Sequence, residues 1–260
     1  MFHRLLIPTD FSTASEWVFD DAVRIAAADR AELLILHVRM TWPSHPQELR
    51  FKADPSLYEY VEQSELDRLR DRVRRANSSV ATRLIVRQAP GIGDEIAHVA
   101  KDEGVDLIVI ATHARHHVAH LFVGSTTRSV LDAPPAPVLA IRYGIRRRTD
   151  VFGRVVVPVH LDQTAHTALD LAKQVAKELH LVTVCDGELR SRAEAHLQQI
   201  AQTLPNATIA IVTGKRAEEE IVSYAEKRDI DAIFLNAKGA LSEGKLDIVR
   251  HANVPVMIVP

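Results

Sequence analysis

The sequence predicts an α/β fold present in two consecutive copies, each a doubly wound parallel sheet with helices on both faces. Three observations carry this. Short apolar runs of strand length alternate with amphipathic stretches of helix length, the pattern of right-handed crossovers between parallel strands. Three segments recur in the same order: "RLLIPTDFS" (Arg4–Ser12) as "RVVVPVHLD" (Arg154–Asp162), "VDLIVIAT" (Val105–Thr112) as "IDAIFLNA" (Ile230–Ala237), and "APVLAI" (Ala136–Ile141) as "VPVMIV" (Val254–Val259). The length, 260 residues, suits two domains of ordinary size. The expected division is residues 1–142, a linker over 143–152 and a shortened second copy over 153–260.

In the first copy, "HRLLIP" and "ELLILHV" are apolar runs of strand length. The helix between them, "TASEWVFDDAVRIAAADR", starts on an apparent capping box, Thr13 with Glu16, and turns Trp17, Val18, Val23, Ile25 and Ala26 inward. "YEYVEQSELDRLRDRVRRANS" reads as a long charged surface helix and "ATRLIVRQ" as an alternating strand. "GDEIAHVAKDEG" is a short helix closed by Gly104, "DLIVIA" a buried strand, "TTRSVLDA" a last helix and "PVLAIR" a last strand. The joint "YGIRRRTDVFG" reads as an exposed linker in which Arg146–Arg148 are solvated, with an anionic partner as the alternative. The long segment "MTWPSHPQELRFKADPSLYE" after the second strand is either a packed surface loop or a lid carrying Trp42.

Composition narrows the function classes. Hydrophobic residues make up 47% and charged residues 25%, enough for a proper core, and the net charge is −2. That balance gives no reason to expect nucleic acid or an anionic membrane as partner. No apolar run approaches the ~18 residues of a membrane span. The start, "MFHRLLIPTD", is interrupted by Pro8 and Asp10 and reads as the first strand of a cytoplasmic protein. The single cysteine, Cys185, suits a reducing compartment and a small core position. There is no Gly-x-Ser-x-Gly elbow, no Walker A loop and no Cys-x-x-Cys, so no enzyme is expected.

In open parallel sheets a ligand sits beyond the carboxyl ends of the strands, where strand order reverses. That places the residues after "LLIP", "LLILHV" and "DLIVIA" around one crevice. The last of these leads into "THARHHVAHLFVGST", with His113, His116, His117 and His120 in eight residues. Three readings of them stand: an exposed polar loop, a metal site, or phosphate contacts from His113, His116 or Arg115.

With "LLIPTDFS", "LLILHV", "DLIVIATHAR" and "GSTTRSVLDAPPAPVLAIR" in this order, the chain resembles the universal stress protein family, and its two copies resemble the tandem type. The resemblance implies a five-stranded, mostly parallel sheet in each copy, the copies packed through their last strands "PVLAI" and "PVMIV". The nucleotide-binding branch carries Gly-x2-Gly-x9-Gly-Ser/Thr after the fourth strand. Here its positions hold Ala111, Ala114 and Gly124 followed by Ser125, so the spacing is kept and two glycines are alanines. Backbone N–H groups at a helix start bind phosphate, with Ser125, Thr126 and Thr127 as hydroxyl donors. Asp10 would lie by the nucleoside and the Val38 backbone by the adenine. The candidate site is therefore Pro8, Thr9, Asp10, Val38, Ala111, Thr112, His113, Ala114, Arg115, Gly124, Ser125 and Thr126, binding ATP or AMP, with magnesium as a further candidate. The resemblance implies a non-enzymatic stress-response regulator that acts on a protein partner, with a homodimer of the tandem chain as one assembly. In the second copy His160 replaces Asp10 and the loop shrinks to "KGALSEGKL", so no nucleotide is expected there. The alternatives are an interaction module of the same family that binds no nucleotide and a metal-binding module built on the histidines.

Overall fold

In a computed structural model of the chain, the described residues are 1–41, 55–112, 123–161, 167–204, 206–237 and 241–260. The first half runs β1 (Arg4–Thr9), α1 (Thr13–Asp29), β2 (Glu32–Met40), α2 (Pro55–Ala76), β3 (Thr82–Ala89), α3 (Ile92–Asp102), β4 (Leu107–Thr112), α4 (Ser125–Asp132) and β5 (Val138–Arg142). The second runs β6 (Arg154–Pro158), α5 (Thr167–Val175), β7 (Glu178–Val184), α6 (Arg190–Ala201), β8 (Ala207–Val212), α7 (Ala217–Lys227), β9 (Ala232–Asn236), α8 (Glu243–His251) and β10 (Val256–Val259).

All ten strands form one sheet in the order β3-β2-β1-β4-β5-β10-β9-β6-β7-β8. Each half has five parallel strands, and the halves meet where β5 and β10 pair antiparallel, Leu139 opposite Met257. The doubly wound fold and the joint through the last strands are thus observed. The antiparallel joint turns the carboxyl ends of the two sets of strands in opposite directions.

The sheet separates two cores. On one face α1, α2, α5 and α6 bury residues such as Phe19, Leu66, Leu169 and Leu197. On the other, α3, α4, α7 and α8 bury Ile96, Val130, Ile221 and Leu246. The central strands are apolar on both faces, as a doubly covered parallel sheet requires: Leu5, Leu6 and Ile7 of β1 are fully buried.

Three local expectations are corrected. The cap of α1 is Ser12, whose Oγ accepts from the Ser15 N–H, and not Thr13, because the chain is still extended at Ser12 (ψ 158°) and helical from Thr13 on. The surface helix α2 has an inward stripe, with Leu66, Leu69 and Val73 buried and Glu62 buried beside them. The joint is exposed at Tyr143, Gly144, Arg146 and Arg147 as expected, but it is anchored: Ile145 and Val151 are buried in the core shared by the halves. Arg147 bonds Asp20 and the Trp17 carbonyl, its guanidinium 4.6 Å from the centre of the Trp17 ring, while Arg148 bonds Asp229. The apolar side chains on either side of the three arginines, Ile145 and Val151, are what pull the joint inward. Trp42 lies outside the described residues, as does most of the segment proposed as a lid.

Candidate functional site

The crevice follows from the topology. α1 leaves β1 toward one face and α4 leaves β4 toward the other, although β1 and β4 are neighbours. The carboxyl ends of β2, β1 and β4 therefore open between two diverging connections.

Pro8 and Thr9 end β1 and Asp10 follows, exposed, with Asp10 Oδ1 accepting the Ser12 N–H at 3.0 Å. Val38 sits near the end of β2 and is buried. Ala111 and Thr112 end β4. Gly124 caps α4, and Ser125 and Thr126 are its first residues. The strand order and these ends bring Thr9, Asp10, Val38, Ala111 and Thr112 to the same edge of the sheet. His113, Ala114 and Arg115 lie outside the described residues, as do His116, His117 and His120. Among the described residues there is no cluster of side chains suited to a metal ion.

Ala111 is paired in the strand opposite Ile141, and its φ is not positive. An alanine there therefore costs no backbone strain, and the glycine of the pattern is not required by conformation. Gly124 has φ −57°, and a Cβ built on it meets nothing within 4 Å. Neither backbone geometry nor packing among the described residues calls for glycine at that position. Thr127 does not serve as a free hydroxyl donor: it is buried, and its Oγ1 donates to the Ala111 carbonyl at 3.1 Å, fastening the first turn of α4 to the end of β4.

Sequence reading missed the residues beneath Asp10. Thr9 Oγ1 accepts the Phe11 N–H at 3.0 Å, and Phe11 holds a left-handed φ of 58°. The Phe11 ring stacks on His37, centroids 4.5 Å apart. "FS" after "PTD" carries no mark of a left-handed residue, so this turn had no signal in the sequence.

The second half is built otherwise. His160 stands exposed where the first half has Asp10. Asn236 at the end of β9 spends its side-chain oxygen on the start of α5, accepting from Thr167 Oγ1 at 2.8 Å and the Ala168 N–H at 2.6 Å. Lys245, in the first turn of α8, donates to the Asn236 carbonyl at 2.7 Å, and burial pushes its ammonium below the usual lysine range. The first residue of α8 is Glu243, where α4 has Ser125.

This arrangement defines a class: an α/β sheet protein of Rossmann-like strand order, doubled, with a crevice at the switch point of its first half. Residues 1–142 match the family model described as the universal stress protein family. The chain belongs to that family, as a tandem member. A universal stress protein of Methanocaldococcus jannaschii is 24% identical over 157 residues, 55% of this chain and 96% of that protein. One of Bacillus subtilis is 27% identical over 154 residues, 55% of this chain and all of that protein. Among solved structures, a universal stress protein of Archaeoglobus fulgidus superposes with TM-score 0.76 at 21% identity, over 98% of this chain and 95% of that one. A universal stress protein of Pseudomonas aeruginosa gives 0.66 at 14% identity, over 99% and 93%. These likenesses place the fold of the second half as well as the first. No helix among the described residues is long and apolar enough to cross a membrane.

Proposed function

We propose that the chain is a non-enzymatic stress-response regulator of the cytoplasm that binds ATP or AMP in the crevice of its first half. The observation that carries this is Gly124. An open glycine at the start of α4, with Ser125 next to it and no steric need for glycine from the described residues, fits a phosphate held by the first N–H groups of the helix. Asp10, exposed at the end of β1, would accept hydrogen bonds from the nucleoside. His113, Ala114 and Arg115 complete the proposed set, and magnesium would accompany a triphosphate.

The second half serves as the built-in partner. A phosphate at the start of α8 would meet the Glu243 carboxylate and a loop with no Gly-Ser pair. Residues 1–142, 143–152 and 153–260 are the proposed units. Nucleotide occupancy then biases the crevice loops and so the binding of a protein partner. Titration calorimetry with ATP and with AMP tests the reading: saturable heat at one site supports it. No heat at millimolar ligand for either removes it in favour of a module that binds no nucleotide.

A further inference from the structure

The strand end beside the crevice is fastened differently in the two halves. In the second half Thr183 Oγ1 donates to the Val159 carbonyl at 2.9 Å. In the first, His37 Nδ1 lies 2.8 Å from the Thr9 carbonyl. A hydroxyl makes this strand-to-strand bond as well as an imidazole does, so the bond alone does not account for the histidine.

The ring reaches further. Its other nitrogen, Nε2, lies 3.2 Å from Glu62 Oε1 of α2, without the alignment of a hydrogen bond. The two side chains are 9% and 4% exposed. The Glu62 carboxylate also accepts from Arg39 Nε at 2.8 and 2.9 Å, and Glu59 lies behind, 3.4 Å from Arg39 Nη1. Among the described residues Glu62 of α2 stands against the ring; behind it Arg39, from the same strand as the ring, is bonded to Glu62, and Glu59 of α2 to Arg39, while Asp10 directly precedes the stacked Phe11. β1 contributes the Thr9 carbonyl, β3 the apolar register partner Val86, and the loop after β1 the stacked Phe11 ring.

A carbonyl oxygen only accepts, so Nδ1 carries a proton. With one proton, the ring turns the lone pair of Nε2 toward a buried carboxylate. With two, it turns an N–H toward it and presents a cation to the face of Phe11. Phe11 needs such support, because a left-handed φ of 58° is uncommon for a bulky residue, and Phe11 directly follows Asp10.

We propose that His37 is a positioning residue that, when doubly protonated, clamps the Asp10–Ser12 turn to α2 and thereby makes ligand binding at that turn depend on pH. The binding clause rests on the nucleotide reading given above; the clamp itself does not. The clamp is tight while the ring is charged and relaxes once it is neutral.

The test uses the full chain. Nitrogen and proton resonances of the His37 ring and of the Phe11 and Ser12 amides are followed from pH 5.5 to 9 without ligand. In the wild type the amides are expected to shift with the same midpoint as the ring. Glu62→Gln should reduce that coupled shift, and His37→Thr, which copies the second half, should abolish it. A ring that titrates while both amides stay fixed, or one that keeps a single proton throughout, would overturn the clamp even if neither variant folds. ATP affinity is then compared at pH 6 and pH 8. The ratio is expected to be roughly threefold to tenfold smaller in His37→Thr than in wild type, the titration of the ligand's own phosphate being common to both. Equal ratios overturn the coupling. Absence of ATP binding removes the nucleotide reading, while the amide titration still decides the clamp.

Discussion

Gly124 and Ser125 meet different demands from the fold and from a ligand, which makes them separable by substitution. A Cβ at Gly124 enters open space, so Gly124→Ala should change stability by no more than about 0.5 kcal/mol in a urea melt. Ser125→Glu copies the first residue of α8 and places a carboxylate at the positive end of α4. It should leave stability unchanged or raise it by about 0.3–1 kcal/mol, while ATP affinity falls at least tenfold, on the order of 1.4 kcal/mol. Calorimetry showing undiminished ATP affinity in Ser125→Glu would remove the phosphate from this helix. At this scale the sequence offers candidates where a signal is local: Asp10, Ala111, Gly124 and Ser125 each stand out at one strand end or one helix start. Thr127 was read as a donor to phosphate, and its bond to the Ala111 carbonyl could not be seen, because a buried hydroxyl and an exposed one look alike in a sequence. The His37–Glu62 contact was invisible for a different reason: its partners belong to β2 and to the far side of a long insertion.

The elements owe their stability to faces that composition only half reveals. α2 looks charged throughout, yet Leu66, Leu69 and Val73 recur at helical spacing and are buried. Leu69→Ala should cost about 2–5 kcal/mol, and Tyr60→Ala, at a residue 73% exposed, close to nothing. Equal urea midpoints for the two variants would mean that α2 does not dock. β7 and α7 are joined by a polar contact in an otherwise apolar layer, His180 Nδ1 to Tyr224 Oη at 2.9 Å. Burial pushes the His180 imidazole below its ordinary range, and Tyr224 up. The folded state therefore binds this proton less readily than the unfolded chain does. The associated stability is complete above the unfolded histidine value of about 6.5 and is lost as pH falls below it, at no more than about 1.4 kcal/mol per pH unit. His180→Asn removes that loss, so its stability and that of wild type should draw together between pH 7.5 and 5.5. Parallel curves would show that His180 does not titrate differently on folding. The alternation of strands and helices was legible element by element. The cap of α1 was misplaced by one residue, since Ser12 and Thr13 are equally good caps and only the backbone angle decides between them.

For the whole molecule, the decisive contact is the β5–β10 ladder, where Val138, Leu139 and Ala140 face Ile258, Met257 and Val256. The repeat in the sequence foretold two copies, and the family resemblance foretold that they meet through these strands. What neither foretold is how the joint is tied down: Arg147 reaches Asp20, Arg148 reaches Asp229, and Phe152 packs between Phe2 and Phe234. Such contacts join residues far apart in the chain, and no local pattern encodes them. The ladder also has a consequence for the isolated first unit. Cut after residue 142, the chain would present β5 as an unpaired apolar edge, and such an edge seeks another strand. β5 already pairs antiparallel with a strand of its own kind, so a second copy of β5 can take the place of β10 about a two-fold axis. The fragment 1–142 is therefore expected to run in light scattering at twice its chain mass at tens of micromolar. Leu139→Asp in that fragment sets an unpaired charge in the core beside the new ladder, and should lower its urea midpoint and its dimer fraction together. In the full chain the same substitution faces Met257 and should loosen the two halves, lowering the urea midpoint without doubling or halving the mass. A fragment that stays folded and monomeric at these concentrations would show that β5 needs no cover, and the second half would then have to be explained by something other than the edge it closes.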